Sequence, residues 1–167
     1  RVPEMLAAGL TVGLGTDGPV CNNSLSLFEE MKFSSLIQKA TRLDATVLPA
    51  EQMLRMATIN GARALGLDRE IGSLEVGTRA DLLLLALTSP NMTPAEIDTR
   101  GNNVLWNLVF AASSQNVASV WVDGQQLIAD GLATQVSEAQ VLAQAQSHGL
   151  QLFQQCRDIA HLRTRML

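Results

Sequence analysis

The chain has 167 residues, of which 47% are apolar and 17% charged, and its formal net charge is −4. This apolar content is enough for a packed core and argues against a disordered chain, whereas the length falls short of the roughly 250 residues of a complete (β/α)8 barrel. The acidic balance, with only two lysines, argues against nucleic-acid binding. No apolar run approaches the roughly 18 residues that cross a bilayer, so no membrane partner is expected.

The first predicted elements are a short helix and a buried strand. Residues 5–8 have an apolar helical pattern that Gly9 ends. Residues 10–15 (Leu-Thr-Val-Gly-Leu-Gly) have the composition of a buried strand. The sequence opens directly on this helical pattern without an initiator methionine, and we therefore expect it to begin inside a fold.

Two helices are predicted next. Ser26 and the glutamate three residues later have the spacing of a capping box and start a helix that runs to about Lys39. Pro49 suits the first position of the following helix, which residues 60–61 (Asn-Gly) interrupt and Gly66 closes. Three methionines at helical spacing are assigned to the core: Met31, Met53 and Met56.

The second half of the sequence predicts strands with an inserted helix. Residues 72–77 are rich in turn formers and lead into a buried strand over residues 82–87. Asp81, at the entrance to this strand, is assigned a structural role at the turn or strand edge. The remaining predicted elements are a helix over residues 104–112, strands over 117–122 and 125–128 joined by an Asp123-Gly124 hairpin turn, and a polar-rich helix over 137–165.

A carboxylate stands among glycines at the end of the first predicted strand, in residues 13–18 (Gly-Leu-Gly-Thr-Asp-Gly). In parallel α/β folds, ligands bind beyond the carboxyl ends of strands, and glycines let the backbone approach a ligand closely. Asp17 could there bind a cation or act as a general base. Thr-Asp-Gly is also ordinary turn chemistry, so the local spacing leaves a ligand site and a turn or cap role open.

Four stretches of the sequence carry a resemblance to a known family. They are residues 12–18, residues 22–23 ahead of 27–31, residues 56–67 (Met-Ala-Thr-Ile-Asn-Gly-Ala-Arg-Ala-Leu-Gly-Leu) and residues 71–82 (Ile-Gly-Ser-Leu-Glu-Val-Gly-Thr-Arg-Ala-Asp-Leu). In this order they resemble the C-terminal part of the amidohydrolase superfamily. The branch contains chlorohydrolases, cytosine-deaminase-like enzymes and S-adenosylhomocysteine/methylthioadenosine deaminases. With the later hairpin, which resembles the family's final sandwich strands, the resemblance extends over about residues 1–145.

The resemblance implies an α/β fold. Members of the family are metal-dependent hydrolases built on a (β/α)8 barrel, with a small β-sandwich domain formed from both ends of the chain. On this basis residues 1–66 correspond to the last strand and helices of the barrel. Residues 67–131 correspond to part of the composite β-sandwich domain with an inserted helix, and residues 132–167 to a C-terminal helix.

The resemblance also assigns the candidate site residues. In the family the last barrel strand ends in an aspartate that binds the metal and shuttles protons, and Asp17 takes that position here. It would accept a proton from metal-bound water as the hydroxide attacks a ring or amidine carbon, and pass it to the departing amine. Asn22 and Asn23 follow on the next loop, where substrate contact and helix capping are both open.

The metal implied by the resemblance is divalent, zinc or iron. The family's other ligands are a His-x-His pair and two single histidines, and none has a counterpart here. The two histidines, His148 and His161, lie thirteen residues apart in the predicted last helix. Because one carboxylate without imidazoles does not complete a zinc shell, we expect the chain to match the C-terminal third of such an enzyme and to be inactive by itself, with no bound metal.

Two functions follow from this reading. The first is part of a metal-dependent hydrolase that deaminates a small heterocycle, namely a purine, pyrimidine or triazine-like compound. The alternative is a non-catalytic module with an assembly or binding role.

A lone barrel strand exposes an unpaired apolar edge, so a homo-oligomer is expected. Cys21 and Cys156 lie far apart without a disulfide framework, and no export leader is evident, which predicts a cytoplasmic location.

Overall fold

A computed structural model describes residues 1–98 and 101–164. They divide into two compact units, Arg1–Gly131 and the residues from Leu132 onward. The helices of the first unit are α1 (Val2–Ala7), α2 (Pro19–Asn22), α3 (Leu27–Arg42), α4 (Ala50–Ala57), α5 (Ile59–Leu65) and α6 (Asn103–Phe110). Its strands are β1 (Leu82–Leu85), β2 (Ile97–Asp98), β3 (Gly101–Asn102), β4 (Val117–Val122) and β5 (Gln125–Ala129). The second unit contains β6 (Leu132–Ala133) and α7 (Glu138–Thr164).

The core of the first unit lies between α3, α4 and α6. The three methionines predicted for the core are buried there, since Met31, Met53 and Met56 are 3%, 0% and 1% exposed. Methionine suits such a junction because its flexible thioether fills irregular gaps between helices. The hydroxyl of Ser35 donates a hydrogen bond to the carbonyl of Leu48 (2.8 Å) and ties α3 to the residues before α4.

The predicted helix ends are confirmed where a local cap defines them. Gly9 (φ 78°) follows α1 and Gly66 (φ 73°) follows α5, both with the left-handed backbone that favours glycine. Ser26 caps α3, because its hydroxyl accepts a hydrogen bond from the amide of Glu29 (3.4 Å). The helix continues to Arg42, three residues beyond the predicted end.

The boundary between α4 and α5 differs from the prediction. Pro49 is the N-cap of α4 and not its first helical residue. The break falls at Thr58 (φ −125°, ψ −103°), so residues 60–61 lie inside α5. The hydroxyl of Thr58 donates to the carbonyl of Leu54 (2.8 Å) at the point where α4 ends. Gly13 packs closely on this part of α5, because a Cβ built on Gly13 would lie 3.0 Å from the Gly61 Cα.

The strand predicted over residues 10–15 is not formed in the described structure. A strand exists through backbone pairing with a neighbouring strand, and this segment has none. The amide of Leu14 instead donates to the carbonyl of Met56, at the end of α4 (3.1 Å). Apolar composition predicted a strand, but composition does not supply its partner.

The main sheet confirms the predicted hairpin. β4 is antiparallel to both β1 and β5. Asp123 (φ 51°) and Gly124 (φ 77°) join β4 to β5 with two consecutive left-handed residues, which tight hairpin turns require. Asp81 has the structural role predicted for it, since its Oδ1 accepts a hydrogen bond from the Asp123 amide (2.6 Å).

Strand β1 is shorter and less buried than predicted. It covers Leu82–Leu85, not residues 82–87. Leu83 and Leu84 are 50% and 56% exposed. A strand is buried on both faces only when other layers cover both faces of its sheet, and the described residues do not provide that cover.

An ion pair connects the beginning of the chain to the end of α3. The Arg42 guanidinium Nη2 lies 2.6 Å from Glu4 Oε1. The hydrogen bond from Arg42 holds the pKa of the Glu4 carboxyl below its usual value. Glu4 therefore keeps its charge, and its ion pair with Arg42, to a lower pH than a free glutamate would.

Gly72 offers a test of how the segment before β1 packs on α5. Its φ is +93°, and an added Cβ would lie 2.8 Å from the Ala62 Cβ and 3.0 Å from the Ile59 Cα. Gly72→Ala should lower the free energy of unfolding by about 2–4 kcal/mol, through backbone strain and the clash together. Urea denaturation measures this loss.

The matched control is Gly77→Ala. Gly77 has a similar φ of +98°, but a Cβ there would meet nothing within 4 Å. Gly77→Ala should lower the free energy of unfolding by about 1–2 kcal/mol, through backbone strain alone. Equal losses for the two variants would contradict the packing of Gly72 against α5.

The second unit consists mainly of α7, which was predicted over residues 137–165. The described helix is Glu138–Thr164, and position 165 lies outside the described residues. The side chains from Glu138 to Arg157 are exposed, apart from the half-buried Gly149. Among the described residues, no helix combines the length and apolar character needed to span a bilayer.

Candidate active-site segment

Residues 10–18 approach the helices through close backbone contacts. The hydrogen bond from Leu14 to Met56 holds the segment against the end of α4. Gly13 lies against Gly61 of α5, where a side chain on Gly13 would be in tight contact with the Gly61 backbone. The stretches around residues 12–18 and 56–67, far apart in sequence, are therefore neighbours in the fold. These contacts hold the segment that leads into the turn at Asp17.

Asp17 is an exposed carboxylate in a left-handed turn. Its φ is 55°, a conformation that aspartate tolerates better than most residues. Its Oδ1 accepts a hydrogen bond from the Gly18 amide (2.7 Å). Among the described residues, Asp17 takes part in none of the ion pairs. Gly15 and Gly18 face open space, since a Cβ on either would meet nothing within 4 Å. The carboxylate is accessible to a ligand, and its contact with Gly18 is also ordinary turn chemistry.

Asn22 and Asn23 end the short helix α2, immediately after the Asp17 turn. Asn23 is the C-cap of α2 with φ 59°, and its amide donates to the carbonyl of Pro19 (2.9 Å). Neither asparagine caps the start of α3, a role that Ser26 takes; Asn23 instead ends α2 in a left-handed conformation. Both asparagine side chains are exposed.

Glu30 is a partner of this site that sequence reasoning missed. The Asn22 side-chain amide donates a hydrogen bond to Glu30 Oε1. Glu30 lies in the first turn of α3, eight residues from Asn22. Because the two residues lie in different helices, the periodicity within one helix does not relate them, and no local signal in the sequence indicates the contact.

The described residues do not by themselves provide a zinc site. Among the residues whose side chains the structure describes, which leaves out His161, no three His, Cys, Asp or Glu side chains come close enough to hold a metal ion. His148 is exposed on α7, in the second unit. Zinc in proteins takes three or four protein ligands, whereas Asp17 offers one carboxylate. A zinc shell that includes Asp17 would need donors from other segments.

A shallow cavity of about 240 Å³ lies elsewhere in the first unit, and none of the predicted site residues lines it. The guanidinium of Arg79 lies 2.7 Å from Glu70 Oε2 and 3.6 Å from Asp123 Oδ2. These ion pairs connect the segment before β1 to the β4–β5 hairpin, as the hydrogen bond between Asp81 and Asp123 also does. Each of these four charged residues has a partner within the cluster, an arrangement typical of a structural contact.

The sequence matches a family model for most of its length. The model of the amidohydrolase family matches residues 1–127. Among curated proteins, a 5-methylthioadenosine/S-adenosylhomocysteine deaminase from Moorella thermoacetica is 45% identical over 143 residues, covering 86% of this chain and 32% of the relative. An S-triazine hydrolase from Gordonia rubripertincta is 43% identical over 129 residues, covering 77% of this chain and 26% of the relative.

The described fold also matches solved structures. An adenosine deaminase from Xanthomonas campestris, crystallised with bound zinc, superposes with a TM-score of 0.80 at 34% identity. The match covers 87% of this chain and 32% of that protein. The chain thus spans about a third of the length of the curated relatives and of this structure.

Proposed function

Since the chain belongs to the amidohydrolase family, a family of (β/α)8 barrels, we propose that it forms the C-terminal part of a metal-dependent deaminase. The enzyme hydrolyses a C–N bond, other than a peptide bond, of a purine, pyrimidine or triazine-like compound. The observation that carries this proposal is the position of Asp17. It is an exposed carboxylate at the end of a segment held against α4 and α5, in a chain similar to named deaminases and a triazine hydrolase.

Asp17 is the proton carrier in this proposal. As an ionised carboxylate it accepts a proton from the attacking water and delivers it to the departing amine. The left-handed turn and the hydrogen bond from the Gly18 amide to Oδ1 orient the side chain for this transfer. Asn22 and Asn23, exposed at the end of α2, contact the heterocycle, and Glu30 holds the Asn22 amide in place.

The same proposal covers the domain organisation. Residues 1–66 form the end of the barrel, residues 67–131 part of a composite sandwich, and residues 132–167 the C-terminal helix. A divalent metal, zinc by similarity to the zinc-bound structure or else iron, would take one ligand from Asp17 and the others from histidines on other barrel segments. The protein is proposed to be cytoplasmic and oligomeric.

Metal content tests whether Asp17 needs these other ligands. The 167-residue chain, equilibrated with one equivalent of zinc and then desalted, should retain well under 0.1 zinc per chain, because one carboxylate is an incomplete shell. Elemental analysis gives the ratio. The joined protein is a longer chain that contains these 167 residues together with the barrel segments that carry the histidine ligands. After the same treatment it should retain about one metal per chain. Stoichiometric zinc in the 167-residue chain would refute the proposed division of ligands.

The alternative, a non-catalytic module, makes a different prediction for the joined protein. Ammonia release from 5-methylthioadenosine, adenosine and a triazine would be measured at equal protein concentrations. The deaminase proposal predicts release from at least one of these compounds. A folded joined protein with neither metal nor release would leave the module as the better description.

A further inference from the structure

Helix α7 has a continuous apolar stripe that solvent reaches. The exposed fraction is 68% for Leu142, 61% for Leu152 and 68% for Phe153. An amphipathic helix of 27 residues is normally stabilised by covering such a stripe with another element. The residues that share the stripe at helical spacing are Val141, Leu142, Ala145, Gly149, Leu152, Phe153 and Cys156.

The spacing of the stripe is that of helices that pair along their length. Positions 138, 142, 145, 149, 152 and 156 follow one another in alternating steps of four and three, and the same seven-residue repeat continues to positions 159 and 163. This repeat keeps one seam facing a partner helix over many turns. Six of these eight positions lie between Glu138 and Cys156, where the side chains are described, and the other two are used here as sequence positions only.

Charge and side-chain size indicate a second copy of the same helix, running in the opposite direction. The first position of the repeat is Glu138 and the last, in the sequence, is Arg163. An antiparallel copy centred between residues 150 and 151 brings these opposite charges together at both ends. A parallel copy brings glutamate to glutamate and arginine to arginine, which is unfavourable.

The same antiparallel register also matches large side chains with small ones. It sets Leu152 against Gly149 of the second copy, and Cys156 against Ala145. Facing layers of large and small residues pack at native density. A parallel register would set Gly149 against Gly149 and leave a gap in the middle of the seam.

We propose that α7 is a dimerisation element, pairing antiparallel with α7 of a second copy of this chain. The interface is the apolar stripe, with Glu138 and position 163 at its ends. The family match ends at residue 127, before α7 begins, so this interface does not depend on the role proposed for Asp17.

Cross-linking between cysteines tests the register. Cys21→Ser first removes the other exposed thiol. In that background Ala145→Cys, facing Cys156 of the second copy, should give covalent dimers with a short bis-maleimide in most of the protein. The control, Ser147→Cys, lies on the opposite face of α7 and should give few dimers, as should Cys156 alone. Strong dimers from Cys156 alone would indicate a parallel pair, and equal yields from positions 145 and 147 would also overturn the proposal.

A charge swap tests the ends of the interface by sedimentation equilibrium. Glu138→Arg should weaken dimerisation about tenfold, since it places like charges at both ends. Adding Arg163→Glu should restore the original dissociation constant, with circular dichroism confirming that α7 stays helical. A chain that remains monomeric at 100 µM protein, or a double variant no better than Glu138→Arg, would overturn the antiparallel pair.

Discussion

Asp17→Asn should reduce the turnover number of the joined enzyme by about three orders of magnitude. Asparagine keeps the shape of the side chain and tolerates the left-handed backbone at φ 55°. It carries no charge and cannot accept the proton from the attacking water, a function worth roughly 10²–10⁴ in rate. Ammonia release under saturating substrate measures the loss.

The matched control for this variant is Asp130→Asn. Asp130 is also exposed and also left-handed, with φ 49°, but it lies in the turn after β5. If Asp17 were only a turn residue, the two substitutions would behave alike and leave turnover nearly unchanged. A loss of turnover in Asp17→Asn but not in Asp130→Asn, with an unchanged urea midpoint, would show that the Asp17 carboxylate takes part in the reaction. Full activity in Asp17→Asn would remove Asp17 from the mechanism.

Met53→Ala should lower the free energy of unfolding of the first unit by about 2–5 kcal/mol, the usual cost of a large-to-small change in a core. Met53 is 0% exposed and lies in the cluster formed with Met31 and Met56. The substitution removes apolar contacts and leaves a cavity between α3, α4 and α6. Urea unfolding followed by tryptophan fluorescence reports on this unit, because Trp106 and Trp121 both lie within it.

Met5→Ala is the control for the same chemical change outside the core. Met5 is 42% exposed in α1, so its truncation should change the unfolding free energy by about 0.5 kcal/mol or less. The difference between the two variants measures burial and not the methionine side chain itself. Equal losses of unfolding free energy in the two variants would show that the burial of Met53 in the described core does not stabilise the first unit.

Short-range signals predicted much of the local structure. The cap of α3 at Ser26 and the end of α5 at Gly66 were predictable because each helix end depends on a few neighbouring backbone groups. The Asp123-Gly124 turn was predicted correctly for the same reason. Thr58 was missed because Asn60 and Gly61 have the composition of a helix break, although both lie inside α5 in the structure.

Less of the candidate site was predictable. The turn at Asp17 was visible as a carboxylate among glycines, and the resemblance to amidohydrolases suggested its chemistry. The contact between Asn22 and Glu30 was not visible, because it joins two different helices whose relative placement depends on the chain between them. The contact of Leu14 with Met56 joins segments 42 residues apart in sequence, and no local pattern encodes it.

The amino-acid sequence alone determined the family resemblance, the helix caps, the hairpin turn and the methionine core, since these depend on residue type and on near neighbours. The tertiary structure decided which apolar segments find partners. Residues 10–15 have strand composition but contact the end of α4, and Leu83 and Leu84 have core composition but are half exposed. Pairing and burial are properties of two surfaces, and a segment's own residues specify only one of them.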